Sequence, residues 1–128
     1  MTLDREGLID FALQRYFANV DAKNLDAVLD CFHDTAHLTV QTAFTRHDGK
    51  AALARMFTDF MNAYEVIRHY NFRCTTDVKE QRLCACFDVE LVAPDGSVTE
   101  LFNTNFWRFR EGRFQEVFVY MSGTNPLT

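Results

Sequence analysis

Near residue 66 the hydropathy pattern changes period, and this change limits the fold more than any other feature of the chain. Upstream, apolar residues recur every three or four positions; downstream they alternate. The alternating runs at about 66–75, 82–93, 98–110 and 113–122 predict four consecutive strands. Pro94-Asp95-Gly96 supplies one hairpin turn, with proline fixing φ and glycine accepting a positive φ, and Glu111-Gly112 makes the next. A chain that is helical first and meandering second has to gather its helices on one face of an antiparallel sheet. The fold class is therefore α+β, and a curled sheet closed by helices encloses a cone.

The upstream half supplies the closing helices. Residues 3–20 read as a helix with Ile9, Leu13, Tyr16, Phe17 and Val20 on one face; Thr2 is the expected cap, and Asp4 and Glu6 suit its positive end. Asp21-Ala22-Lys23-Asn24 is a polar break. A short second helix turns Leu25, Val28, Leu29 and Phe32 inward. His37 to Thr42 reads as a strand with Leu38 and Val40 on one side and His37, Thr39 and Gln41 on the other. Arg46-His47-Asp48-Gly49 reads as a polar loop with His47 solvated and Asp48 capping a third helix over 50–64. That helix carries the stripe Leu53, Met56, Phe57, Phe60, Met61 and Tyr64. No repeat or linker interrupts the chain, so residues 1–128 are expected to form a single domain.

Composition removes several function classes. The 13 Lys and Arg against 18 Asp and Glu give a net charge of −5, and the basic residues are scattered, which excludes a nucleic-acid binder. No apolar run reaches the roughly 18 residues of a membrane span. The opening MTLDREGLID is acidic rather than basic-then-apolar, so a cytoplasmic location and reduced thiols are expected for Cys31, Cys74, Cys84 and Cys86. Cys84-x-Cys86 has no second cysteine pair or histidine pair in reach, and His33 and His37 are four apart but straddle a helix end and a strand. No metal site follows from either. Thirteen phenylalanines in 128 residues point to an aromatic-walled cavity or a large buried interface.

Four motifs then fall in a familiar order. The stretch Arg15 to Val28, with Tyr16 followed by Asp21, Asn24, Leu25, Asp26 and Ala27, resembles the opening of the ketosteroid isomerase and SnoaL-like families of the nuclear transport factor 2 fold. Phe32-His33-Asp34-Thr35-Ala36, Gly49-Lys50-Ala51-Ala52-Leu53 and Trp107-Arg108-Phe109-Arg110-Glu111-Gly112-Arg113-Phe114 resemble their later signatures. The resemblance spans nearly the whole chain and implies the cone-shaped cystatin-like fold. It implies no single activity, because this fold hosts isomerases, dehydratases, cyclases and non-catalytic binders. Carried over by residue, the isomerase tyrosine matches Tyr16, the strand-one base falls at Val40, and the oxyanion-hole aspartate falls at Asn105. Valine moves no proton; an asparagine amide still donates a hydrogen bond. Hydroxyls that support the tyrosine fall at Phe32 and Phe57.

In that register Leu101, Asn103, Asn105, Trp107 and Phe109 look into the cone, where an unsatisfied amide costs about 1–3 kcal/mol. The two asparagines either orient a ligand or satisfy neighbouring backbone. Tyr16 and Asn105 form a candidate acceptor-binding pair. His69, in Ile67-Arg68-His69-Tyr70-Asn71 with Ile67, His69 and Asn71 on one side, is the candidate base that replaces the missing aspartate. The expected walls are Leu13 and Phe17 from the first helix, Leu38 and Val40 from strand one, and Met56, Phe57 and Phe60 from the third helix. Phe87, Val89, Leu101, Asn103, Trp107, Val119 and Met121 complete them from the later strands. The opposite sheet face carries Phe102, Phe106, Phe118 and Tyr120 among Asp88, Glu90, Arg108 and Glu116. That is an apolar patch of the kind a partner covers, so a homodimer through this face is expected.

Two functions remain open. One is a cofactor-free isomerase, dehydratase or cyclase acting on a small, largely apolar, carbonyl-bearing molecule through Tyr16, His69 and Asn105. The other is a non-catalytic ligand-binding or dimeric interaction module of the same fold.

Overall fold

The computed structural model describes residues 1–128. One helix opens the chain. It is α-helical over Arg5–Asp10, π-helical over Phe11–Phe17 and α-helical again over Ala18–Asp21. Its cap is Asp4, whose carboxylate accepts from the Gly7 N–H, not Thr2 as the sequence suggests. In the π segment the Ala18 N–H reaches back five residues to the Leu13 carbonyl. Such a widened turn changes which side chains share a face, and it is frequent at functional sites. Here Phe11, Ala12, Tyr16 and Phe17 are all buried on the sheet side. A short second helix, Leu25–Leu29, and a third, Gly49–Ala63, complete the helical layer.

Six strands follow or interleave: β1 Phe32–Val40, β2 Thr45–Asp48, β3 Val66–Asp77, β4 Arg82–Val92, β5 Val98–Arg110 and β6 Arg113–Met121. They form one sheet in the order β2-β1-β6-β5-β4-β3. The four predicted meander strands are present. Two features exceed the sequence reading. β1 starts at Phe32, where the second helix was expected to continue, and Arg46-His47-Asp48 belongs to β2, paired antiparallel with β1. The 3₁₀ turn Gln41–Ala43 and Phe44, at φ +52°, reverse the chain tightly enough for that pairing. Asp48 precedes the third helix without a side-chain cap; its carboxylate is held by Arg46 at 2.9 Å.

β1 lies parallel to β6, which closes the curl. The alternation predicted for β4 and β5 holds residue by residue. Phe87, Val89, Leu91, Leu101, Asn103, Asn105, Trp107 and Phe109 are buried on the concave face, whereas Phe102 and Phe106 are exposed on the other. On β3 the alternation breaks. One extra residue lies between Tyr70 and Arg73, and Asn71 takes φ +58°. This bulge turns Asn71 out to Asp88 and brings Phe72 in, against Phe17 and Phe87. Asn71 therefore does not share the face of Ile67 and His69.

Part of the space between the helices and the sheet is filled with rings. Tyr16 meets Phe32, Phe57, Trp107 and Phe114 edge-on at 5.2–6.3 Å, and Trp107 stacks on Phe114 at 5.7 Å. These are the favoured geometries for aromatic quadrupoles. The two positions where the resemblance expects hydroxyls beside Tyr16 are thus apolar rings packed against it.

Candidate active site

The open space in the cone measures about 30 Å³. Its walls come from the first helix (Tyr16, Phe17, Val20), the third helix (Phe57, Phe60), β3 (His69), β4 (Phe87, Val89, Leu91), β5 (Leu101, Asn103, Asn105) and β6 (Val119, Met121). Pro126 and Leu127 complete it. Tyr16, His69 and Asn105, the three candidate functional residues of the sequence, all line this space. Of the expected walls, Leu38, Val40, Met56 and Trp107 do not; they are fully buried deeper in the packed core. Leu13 is half-buried at the edge of that core. The third helix lies directly on β1, so the inner residues of β1 touch helix and not cavity.

His69 has the best-defined polar environment in the cone. Its Nδ1 lies 2.6 Å from Asp21 Oδ1, and its backbone N–H donates to Asp21 Oδ2 at 2.9 Å. A carboxylate only accepts, so the Nδ1 proton belongs to this bond and Nε2 carries the free lone pair. Nε2 has no partner within the protein. The imidazole stacks on Phe17 at 4.4 Å and tilts against Phe87 at 5.6 Å, which fixes its plane. Its side chain is 9% exposed. Asp21 is the last residue of the first helix, the end where a negative charge opposes the helix dipole. The two hydrogen bonds from His69 offset that cost. An acid-oriented imidazole with one nitrogen free, at the wall of a cavity, is the arrangement used in general-base catalysis.

Two strands away sit the amides. His69 pairs with Val89, and Val89 with Leu101, so His69 and Leu101 are roughly 10 Å apart along the sheet at the usual strand spacing. Asn103 and Asn105 continue the same face of β5. Both are buried, and the side-chain oxygen of each lacks a hydrogen-bond partner, as does the indole N–H of Trp107. Flipping an amide exchanges oxygen for nitrogen and supplies neither with a partner. The cavity beside them is large enough for a water, which needs about 10–15 Å³ by this measure.

Tyr16 makes no hydrogen bond to Asn105. Burial drives its phenol far above the ordinary range, helped by the nearby Cys31 and Asp21, so the hydroxyl stays protonated at every working pH. Burial also pushes the Cys31 thiol up to about 11, and raises those of Cys74 and Cys84. None of these three thiols is poised as a thiolate nucleophile. His33 bonds to the Arg110 carbonyl and His37 to Glu116 at 3.2 Å, so the two face different partners. His47 is buried, not solvated: its Nε2 meets the Leu127 carbonyl at 2.9 Å.

Sequence reasoning missed Asp21, Val20, Leu91, Pro126 and Leu127. Asp21 stands in the first motif but reads there as part of a turn. Leu91 extends the Phe87, Val89 alternation and was within reach. Pro126 and Leu127 form a short apolar pair with no periodicity around it.

The fold and this cavity define a SnoaL-like protein. Residues 13–117 match the SnoaL-like domain, and the chain belongs to that family. No curated protein sequence matches the chain. Similar solved structures include a protein of Xanthomonas campestris pv. campestris provisionally assigned as a polyketide cyclase. It is 20% identical with a TM-score of 0.80, covering 91% of this chain and 90% of that one. The epoxide hydrolase/cyclase-like enzyme SalBIII, of pyran ring formation in salinomycin, is 16% identical with a TM-score of 0.78 over 93% of each chain. AusH from Aspergillus nidulans is 11% identical with a TM-score of 0.81, over 95% of this chain and 88% of that one. At these identities the likeness concerns the fold. No helix is long and apolar enough to cross a membrane.

Proposed function

We propose that the protein is a cofactor-free proton-transfer enzyme acting on a small, largely apolar, carbonyl-bearing molecule, in an isomerisation, dehydration or cyclisation. The observation that carries this reading is His69, held by Asp21 at 2.6 Å with its other nitrogen free, in the same cavity as two buried, incompletely bonded amides. His69 Nε2 takes a proton from the carbon beside the carbonyl. The electron pair moves to the carbonyl oxygen, which accepts hydrogen bonds from an asparagine amide and from the neutral Tyr16 hydroxyl. The imidazolium, stabilised by the Asp21 carboxylate, then returns the proton to another carbon or to a departing hydroxyl. The base position that the resemblance assigns to strand one carries Val40, so His69 is the group left to move the proton.

Deuterium uptake from D₂O into a panel of enolisable ketones, followed by NMR, tests this. The protein should accelerate uptake for some members, and His69→Gln should lower that rate by about 10²–10⁴. Equal rates for the two proteins on every active ketone would sink the reading.

A second reading has its own observation. About 30 Å³ holds a water and not a substrate, as expected of a non-catalytic module whose cone is filled by its own side chains. On either reading we propose a homodimer through the outer sheet face. Phe102, Phe106 and Tyr120 are 42–47% exposed there, Phe118 is half-buried, and Asp88, Glu90 and an Arg108–Glu116 pair at 2.5 Å lie among them.

A further inference from the structure

The segment Ser122–Thr128, which follows β6, crosses the mouth of the cone. It sinks Leu127 into the core at 8% exposure, where Pro126 and Leu127 share a cavity with His69, Asn103 and Asn105. Little holds it there. Ser122 Oγ accepts from the Phe102 N–H at 2.8 Å at the near end. The Asn125 side chain folds only onto Leu127, accepting from its N–H at 2.8 Å. No backbone-to-backbone hydrogen bond joins the segment to the sheet. Its polar anchor at the far end is the His47 Nε2–H, which donates to the Leu127 carbonyl at 2.9 Å. A Cβ at Gly123 would lie 2.7 Å from Leu101 Cδ2, so the tip of the Leu101 side chain would have to move to admit one. A segment fastened by one apolar side chain and two long-range hydrogen bonds, one near each end, opens more readily than the ladder beneath it.

We propose that Pro126–Leu127 occupies a ligand subsite of this cone, with His47 as the hydrogen-bond donor of that subsite. The occupant describes the ligand: a carbonyl oxygen that accepts from His47, next to a short branched alkyl group that takes the place of the Leu127 isobutyl. The matching class is small branched ketones and acyl compounds, which enter by displacing the segment. Displacement also supplies the room that the closed cavity lacks. Because His47 bonds an acceptor-only carbonyl, its proton sits on Nε2 in the closed form and is already directed at the ligand's oxygen. The subsite and its ligand class are read from the Leu127–His47 contact; this carbonyl position is distinct from the Tyr16–Asn105 pair of the proposed proton transfer, so neither rests on the other.

The test uses the full chain and 5-methylhexan-2-one, in which, as in Leu127, one carbon separates the isobutyl group from the carbonyl. Binding is followed by ¹H–¹⁵N chemical shifts. Leu127→Ala should bind this ketone at least about tenfold more tightly than the unaltered protein, with shifts at His47, Asn103 and Leu101. Adding His47→Phe to Leu127→Ala should remove most of the gain. Unchanged affinity in Leu127→Ala, shifts confined to the outer sheet face, or indifference to His47→Phe each overturns the proposal. Should Leu127→Ala not fold, the unaltered protein decides. Saturating ketone should speed hydrogen exchange of the Leu127 amide, and an unchanged rate overturns the proposal. Tighter binding without deuterium uptake keeps the subsite and removes the proton-transfer reading. Uptake by a protein whose Leu127→Ala variant binds no better does the reverse.

Discussion

β5 carries its polarity inside out. On the concave face Asn103 and Asn105 are buried among rings; on the opposite face of the same strand Phe102 and Phe106 stand nearly half exposed. An ordinary sheet places apolar residues inside and amides outside, because burial of apolar area stabilises and burial of an unpaired amide costs about 1–3 kcal/mol. Each face therefore departs from what a solitary, ligand-free fold would select. On the proposed reading, a polar ligand or water in the cavity would complete the inner face and a second copy of the chain would cover the outer one. The β3 end of the concave face shows the contrast differently. There the polar group, His69, has a full partner in Asp21, and only one nitrogen is left free, at the wall of the cavity.

The largest expected effect breaks the outer half of this comparison. Phe102→Glu with Phe106→Glu should convert a dimer to 15 kDa particles over the whole accessible concentration range in sedimentation velocity. If the unaltered protein is already monomeric at high concentration, the outer aromatics have no covering partner of this kind. On the inner face, Asn105→Leu should raise stability by about 1–2 kcal/mol in urea unfolding, since an unpaired buried amide gives way to an apolar group of similar size. The same change should lower the rate of ketone deuteration. A loss of stability would mean that water already satisfies the amide fully.

The smallest effect belongs to the charged pair between the outer aromatics. Arg108 hydrogen-bonds Glu116 and holds its carboxyl below the usual range, with His37 adding to the shift. A carboxylate whose folded pKa is depressed contributes stability above its unfolded pKa, near 4.3, and loses it as pH falls through the lower folded value. Urea midpoints measured from pH 6 down to 3 should therefore fall less steeply in Glu116→Gln. The difference should be under about 1 kcal/mol, because solvent screens the pair. An equal slope would show that the pair contributes nothing to folding.

Much of the fold is legible in local pattern. The period-two runs place β3 to β6, and the three-and-four spacing places the first and third helices, because each rests on which side of its own element a residue occupies. β2 was not legible. Thr45-Arg46-His47-Asp48 is short, polar and without alternation, and it becomes a strand only because the tight turn at Phe44 lays it beside β1. The bulge at Asn71 was equally hidden, since one extra residue leaves no mark on composition while it exchanges Asn71 for Phe72 on the inner face.

The candidate site divides in the same way. Tyr16 and Asn105 could be proposed because the family resemblance maps its tyrosine and oxyanion-hole positions onto them, and Asn103 and His69 because alternation puts them on the wall that this register implies. Asp21 reads as a turn residue; its meeting with His69 spans 48 positions and exists only where the first helix ends over β3. Leu127 and His47 lie 80 positions apart and meet through a segment with no period at all. The sequence by itself determined the order of the first and third helices and of β3 to β6, and the alternation along β4 and β5, which follow from nearest-neighbour geometry along the chain; the family resemblance supplied which side of β5 faces inward. Tertiary structure alone decided which polar groups met. That depends on where the helix and the segment after β6 land on a curved sheet, and a curve is a sum over all the strands that form it.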